Sequence, residues 1–173
     1  MITAISPIDG RYASKVEELS DCFSEYALIR NRVKVEVLWL LALCAEPKIA
    51  ECRALTIEEE QFLRSIVTRF TPEEAEKVKA IEKVTNHDVK AVEYYLKEQI
   101  TGTSLQGLSE FLHFACTSED INNLSHALML RDGLRDVLLP AMTEVADQLA
   151  QLAAATAAAP MLSRTHGQTA SPT

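Results

Sequence analysis

Four short polar segments of this chain contain residue types that can bind an anion or transfer a proton. They are DGRY at residues 9–12, TNHDVK at 85–90, TSED at 117–120 and SRTHGQ at 163–168. Arginine, hydroxyl groups and the free amides of a helix start can hold a carboxylate or a phosphate. A histidine side chain, with an unperturbed pKa of about 6.5, is the usual general acid or base at neutral pH. The segments are therefore candidates for an anion site with an acid–base residue.

Each segment also has a purely structural explanation. Asn86 or Asp88 can cap a helix start, and TSED combines a capping hydroxyl with acids in the first helical turn. SRTHGQ has the composition of a polar loop, and an arginine such as Arg11 is most often a surface side chain. Spacing alone leaves both interpretations open.

Two further histidines, His113 and His126, fall inside apolar helical patterns. The simplest interpretation is a satisfied core or interface histidine in each case. Asn122 and His126 nevertheless share a helix face with Ser118, because residues four apart are neighbours on a helix. This polar strip is a second candidate for facing a site.

Composition and charge exclude several classes of protein. The 17 basic and 25 acidic residues give a net charge of −8, which disfavours nonspecific binding to nucleic acid or an acidic membrane. Scattered cysteines and histidines predict no metal site and a reduced, cytoplasmic setting. Residues 1–7 lack a signal-peptide pattern, and the longest apolar run, 37–45, is too short to span a bilayer. P-loop, GxGxxG and GxSxG motifs do not occur.

Hydrophobic periodicity predicts helices and no convincing strand. The predicted helices cover residues 24–45, 56–70, 71–84, 88–100, 105–115 and 118–159. Capping boxes are expected at Thr56 with Glu59 and at Thr71 with Glu74. Pro140 is expected to kink the last helix. That helix would span roughly 60 Å, so we predict a bundle completed by further sequence or by other subunits.

Together the four segments resemble the bacterial adenylosuccinate lyases, a family of the fumarase/aspartase superfamily. Their order and spacing match throughout the chain. FACTSEDINN at 114–123 and THGQ at 165–168 contain patterns shared across the superfamily, whereas NHDVKAVE at 86–93 points to this family. The resemblance implies an all-α fold, in which a small helical N-terminal domain, residues 1–116, precedes the first long helix of a central bundle, residues 117–173.

The resemblance also implies an activity. The family cleaves a C–N bond and releases fumarate from adenylosuccinate, giving AMP, and from the succinylated imidazole-carboxamide nucleotide of de novo purine synthesis. It works as a homotetramer, with each active site built from three subunits, and needs no metal or organic cofactor. Such an elimination leaves a doubly charged aci-carboxylate that fixed donors must stabilise, and the departing nitrogen needs a proton.

The motifs assign roles residue by residue. His166 would be the general acid that protonates the departing nitrogen, and His87 would help to orient the substrate. The implied substrate-binding residues are Arg11 and Tyr12 for the phosphate, Asn86, His87 and Asp88 for general contacts, Thr117 and Ser118 for the succinyl part, and Gln168 as a further neighbour.

One departure from the family is large. The family's base is a serine on a loop of pattern GSSxMPxKxN, which does not occur here, and the family chain is much longer. We therefore expect an N-terminal fragment that is inactive by itself. Two alternatives stay open: another fumarate-releasing lyase such as argininosuccinate lyase, against which residues 86–88 argue, and a non-catalytic helical assembly module.

Overall fold

The computed structural model describes residues 2–172 and divides the chain into two compact units on either side of the Gly133–Leu134 bond. The fold is all-α, as predicted, apart from one small hairpin. The predicted domains, 1–116 and 117–173, stay a prediction.

Seven α-helices and two strands make up the regular structure of the described residues. They are α1 (Ser20–Phe23), α2 (Glu25–Ala45), α3 (Ile57–Thr68), α4 (Pro72–Thr85), α5 (Asp88–Ile100), α6 (Ser118–Gly133), α7 (Leu139–Thr156), β1 (Leu162–Thr165) and β2 (Gln168–Pro172). Short 3₁₀ turns cover Ala13–Lys15, Glu17–Leu19 and Gln106–Phe111. The last of these replaces the predicted helix over 105–115, because Leu112 is already extended and ends the turn.

Helix α2 forms the centre of the first unit. It begins where predicted, with the Ser24 hydroxyl accepting a hydrogen bond of 3.1 Å from the Ala27 amide. Most of its apolar C-terminal half is buried as predicted, with Val37 and Leu40 fully inaccessible, but Leu38 in the same run is 42% exposed. Side chains of α3, α4 and α5 pack on it in one continuous core. The helix therefore supports every neighbouring segment of this unit.

One of the two predicted capping boxes forms. At α3 the Thr56 hydroxyl accepts from the Glu59 amide while the Glu59 carboxylate accepts from the Thr56 amide. At α4 the prediction was wrong, because the Thr71 side chain makes no capping hydrogen bond. Glu74 instead accepts from the Tyr95 hydroxyl at 2.7 Å, a contact from α5 that sequence spacing could not reveal.

Glu59 provides a test of this part of the fold. Its carboxylate accepts from Arg53 at 2.6 and 2.8 Å, from the Ser104 hydroxyl at 2.7 Å and from the Thr56 amide at 3.0 Å. These hydrogen bonds hold the pKa of Glu59 well below its usual value. We expect Glu59→Gln to lower the free energy of unfolding at pH 7 by about 1–3 kcal/mol.

The pH dependence of that loss has a definite sign. A carboxyl whose pKa is depressed by folding stabilises the fold above its unfolded pKa of about 4.3, and the stabilisation is lost as the pH falls further. Urea denaturation should therefore show the deficit of Glu59→Gln at pH 7 and a smaller deficit at pH 3. Glu60→Gln is the matched control, since Glu60 is exposed and lies 3.9 Å from Arg64. A deficit that does not change with pH would contradict this account.

The predicted helix over 118–159 is interrupted. α6 ends at Gly133, residues Leu134–Leu138 form a π-helical turn, and α7 follows. Pro140 is the second residue of α7 and cannot donate an amide hydrogen bond, so the backbone widens ahead of it. The predicted irregularity at Pro140 thus takes the form of a π turn.

The second unit contains α7 and the hairpin. The prediction that the chain has no strand was wrong here, because β1 and β2 pair antiparallel. Four apolar side chains of α7 stay 58–61% exposed: Met142, Val145, Leu149 and Leu152. Within residues 2–172, no helix is both long and apolar enough to cross a bilayer.

Candidate active site

Arg32 of α2 connects two of the predicted segments. Its Nη2 donates to Asp88 Oδ2 at 2.6 Å, and its Nε donates to Asn122 Oδ1 at 2.9 Å. Asp88 starts α5 and Asn122 lies in the second turn of α6, so one guanidinium joins the TNHDVK segment to the helix that the TSED segment opens. Arg32 is only 6% exposed. The motifs of the sequence did not include Arg32, because α2 also carries Arg30, Lys34 and Glu36 and charge alone does not single out one of them.

Asp88 is held as an ionised carboxylate. Partial burial alone would raise the pKa of its carboxyl, but the Val89 amide and the Arg32 guanidinium outweigh burial and keep the pKa below its usual value. The Val89 amide donates to Oδ1 at 2.9 Å, while Oδ2 faces Arg32. Both oxygens are therefore engaged, and Asp88 is suited to orienting neighbours or substrate rather than to accepting a proton.

His87, and not Asn86 or Asp88, caps α5. Its Nδ1 accepts a hydrogen bond of 3.1 Å from the Lys90 amide, while Asn86 ends α4 in the left-handed conformation with φ 52°. A nitrogen that accepts carries no proton, so this contact assigns the hydrogen of the neutral ring to Nε2. The side chain is half-exposed. His87 therefore presents an N–H donor to its surroundings.

The TSED segment is fixed at the start of α6. The amide and hydroxyl of Thr117 donate to Asp120 Oδ2 at 2.7 and 3.0 Å. These two hydrogen bonds lower the pKa of Asp120. Ser118 is the first residue of the helix and is half-buried, whereas Thr117 is exposed. The acids predicted in the first turn are present, but the Thr117 hydroxyl donates to Asp120 and, within the described residues, is not seen to accept from a helix amide as the predicted cap would.

The loop before α6 is anchored on α2 as well. The carboxylate of Glu36, which is fully buried, accepts from the His113 amide at 3.1 Å and lies 2.5 Å from His113 Nδ1. Burial raises the pKa of Glu36 in spite of its histidine partner. The Trp39 indole donates to the Phe114 carbonyl at 2.8 Å. His113 is therefore the satisfied histidine that was predicted, although it lies in a loop with φ 60° rather than in a helix.

His166 occupies the turn of the hairpin in the second unit. Thr165 pairs with Gln168, which leaves His166 and Gly167 as a two-residue turn. Their φ values of 49° and 74° are those of a type I′ turn, which requires positive φ at both positions. The imidazole is exposed at the tip, and Gln168 follows at the start of β2. The SRTHGQ segment is thus an ordered hairpin, whereas the sequence left a polar loop and a site both open.

Arg11 and Tyr12 contact each other rather than the Arg32 cluster, which comprises Arg32, Asp88 and Asn122. The Arg11 guanidinium lies 5.2 Å from the centre of the Tyr12 ring, and both side chains are exposed. The Tyr12 amide donates to the Pro7 carbonyl at 2.8 Å, which closes a turn over residues 7–12. Within residues 2–172, no hydrogen bond or ion pair joins either side chain to Arg32, Asp88 or Asn122.

The first unit therefore gathers Asp88, Asn122 and their neighbours around Arg32, and the second presents His166 and Gln168 on a hairpin. No group of three or more His, Cys, Asp or Glu side chains in the described part of the chain is arranged to hold a metal ion. An apolar groove of about 660 Å³ lies between α2 and α6, but none of the predicted site residues lines it. Asp120, whose carboxylate holds Thr117, does line the groove, so the groove borders the TSED segment.

Comparisons with known proteins agree with these motifs. A family model described as lyase matches residues 10–173. Adenylosuccinate lyases of Escherichia coli K12 and Vibrio cholerae are each 51% identical to the chain over 172 residues, and that of Dictyostelium discoideum is 45% identical over 177. Each alignment covers 99% of this chain and 38% of the relative. The chain thus spans well under half the length of the curated relatives it matches.

Proposed function

The chain belongs to the lyase family, and from that premise we propose that it contributes to an adenylosuccinate lyase that releases fumarate by elimination. The observation that carries the proposal is the Arg32 cluster, which brings the NHD segment and the start of α6 together. Because the chain covers only part of each relative's length, the proposal concerns a longer protein that contains these residues, here called the full-length enzyme.

The proposed substrates are two succinylated nucleotides. Adenylosuccinate would give AMP and fumarate, and the succinylated aminoimidazole carboxamide nucleotide of purine synthesis would give its carboxamide and fumarate. The relatives named adenylosuccinate lyase support the first substrate directly. The second follows from the resemblance of the segments at 86–93 and 114–123.

The reaction needs a base, a stabilised anion and an acid. A base removes a proton from the carbon next to a carboxylate, and the electron pair left behind is delocalised into that carboxylate. The same pair then forms the C=C bond as the C–N bond breaks. His166 is the proposed acid, which gives its proton to the departing nitrogen. The proposed base is a serine of the GSSxMPxKxN loop, which does not occur in these 173 residues.

Fixed donors would stabilise the doubly charged intermediate. The half-exposed Nε2–H of His87 is one such donor, and its orientation is set by the Lys90 amide. The hydroxyls of Thr117 and Ser118 would bind the succinyl part, with Asn86 and Asp88 as further contacts. Gln168 would lie beside His166.

Arg11 and Tyr12 are proposed to hold the nucleotide phosphate. Both are exposed on a short turn, and the guanidinium is close to the tyrosine ring. An arginine can bind phosphate through two parallel N–H donors, and the tyrosine hydroxyl can add a third. No metal or organic cofactor is proposed for the reaction.

Assembly and location are part of the same proposal. The exposed apolar residues of α7 support a helix bundle completed by other helices, and we propose a homotetramer with sites shared between three subunits. The Cys44 and Cys52 sulfurs lie 3.2 Å apart as hydrogen-bonded thiols rather than as a disulfide, which supports a reducing compartment such as the cytoplasm.

A substrate panel tests the proposal. The full-length enzyme should release fumarate from adenylosuccinate at least 100-fold faster than from argininosuccinate, because residues 86–88 favour the nucleotide. Fumarate absorbance in the ultraviolet gives the rate. Preference for argininosuccinate would indicate the other lyase, and turnover of neither would favour a helical assembly module.

A further inference from the structure

Arg32 is a buried arginine of α2, and its burial needs a physical explanation. A guanidinium removed from water is costly unless hydrogen bonds and an opposite charge replace its hydration. Arg32 is 6% exposed, and Asp88 with its half-exposed carboxylate supplies the opposite charge. An ion pair with Asp88 alone would satisfy the charge. The additional hydrogen bond from Arg32 Nε to Asn122 indicates that Arg32 also positions the Asn122 side chain.

That hydrogen bond fixes the amide of Asn122. Oδ1 accepts from Arg32 at 2.9 Å, so the opposite amide orientation would place an NH₂ group against a guanidinium that can only donate. The Nδ2 group must therefore face away from Arg32. Because Asn122 is only partly buried, this NH₂ group is held as a donor with a fixed direction at the candidate site.

The position of Asn122 suggests what its NH₂ group binds. It lies four residues after Ser118, and side chains at this spacing are neighbours on a helix surface. Ser118 is a proposed ligand of the succinyl carboxylates. Asp88, whose two oxygens are engaged by Arg32 and the Val89 amide, fixes Arg32 from the other side.

We infer that Asn122 is a further substrate-binding residue, donating its NH₂ group to a carboxylate of the succinyl part, and that Arg32 is the positioning residue that orients it. The inference rests on the proposed function and deepens it at the same site. Arg32 itself acts through Asp88 and Asn122. It links α2, α5 and α6, so that the two donor-bearing segments keep one geometry.

The Asn122→Asp variant tests substrate binding while keeping the hydrogen bond that supports the fold. The new carboxylate still accepts from Arg32 Nε, so the cluster and the thermal midpoint should be retained. The NH₂ donor is replaced by a negative charge facing an anionic substrate. We expect KM for adenylosuccinate to rise about 10-fold to 100-fold with a smaller change in kcat. The inhibition constant of fumarate should rise in parallel, while that of AMP should change less than twofold.

Arg32→Lys tests the positioning role. Lysine can pair with Asp88 as a point charge but cannot reproduce the fork that reaches Asp88 and Asn122 together. We expect kcat/KM to fall about 10-fold to 100-fold, since a small displacement of binding groups is costly to turnover. Arg30→Lys is the matched control on the same helix, because Arg30 bonds to the Asp21 carbonyl and stacks on Tyr26. It should stay within twofold of wild type.

The outcomes are distinct. A selective loss of fumarate affinity in Asn122→Asp, with a retained thermal midpoint, supports the inference. Wild-type KM and fumarate inhibition in that variant overturn it and leave the proposed function standing. Equal losses for fumarate and AMP also overturn it, because they indicate general damage. A wild-type enzyme that does not cleave adenylosuccinate overturns the proposed function, and the inference falls with it.

Discussion

Replacing His166 with alanine is expected to lower kcat of the full-length enzyme on adenylosuccinate by a factor of about 10² to 10⁴, with little change in KM. The proposed role of His166 is to protonate the departing nitrogen, and positioned general acids contribute rate factors of this size. The structure places this imidazole at an exposed hairpin turn, where it can reach a ligand without moving a core element. Steady-state kinetics followed by fumarate release give both constants.

The turn itself requires a control. His166 has φ 49°, a conformation that alanine adopts poorly, so His166→Ala removes the acid and also strains the hairpin. Asparagine tolerates positive φ and suits a type I′ turn, but it cannot act as an acid. His166→Asn should therefore show the same loss in kcat. Recovery of kcat in the asparagine variant would show that the turn, and not the imidazole, was responsible.

The 173-residue chain alone is expected to release no fumarate above the uncatalysed background. Enzymes commonly accelerate such reactions by 10⁶-fold or more, and much of that factor comes from donors held in a site that excludes water. Here Arg11, His87, Thr117 and His166 are all exposed to solvent. The proposed serine base is not in the chain either.

Two preparations make that result interpretable. Circular dichroism should first show the helical fold in the purified chain, so that inactivity does not reflect unfolding. The chain carrying His166→Ala, purified in the same way, reports any contaminating lyase from the expression host. Fumarate release by the unmodified chain that disappears with His166→Ala would contradict the expectation and would show that the serine loop is dispensable.

Local signals account for what the sequence predicted well. The helix over 88–100 has the predicted bounds, because its apolar residues recur at helical spacing and Thr101 and Gly102 end it. The capping box at Thr56 could be predicted because both of its partners lie within one helical turn. Buried residues of α2 such as Val37 followed from a run that is apolar on every side.

Features that depend on distant partners were not predictable in this way. Arg32 meets Asp88 and Asn122, which are 56 and 90 residues away, and an arginine in a helical pattern usually faces solvent. The choice of His87 as the cap depended on the left-handed end of the preceding helix at Asn86. At 162–172 the sequence is too short to display strand alternation, so only the paired backbone reveals the hairpin.

The most direct test of the proposed elimination is a proton NMR assay of the full-length enzyme with adenylosuccinate. Elimination predicts that fumarate and AMP appear together in a 1:1 ratio as the substrate is consumed. Hydrolysis of the same C–N bond would add water to the succinyl carbon and give malate with AMP. Malate as the first product, or no consumption of adenylosuccinate by the folded enzyme, would contradict the assignment of these residues to a fumarate-releasing lyase.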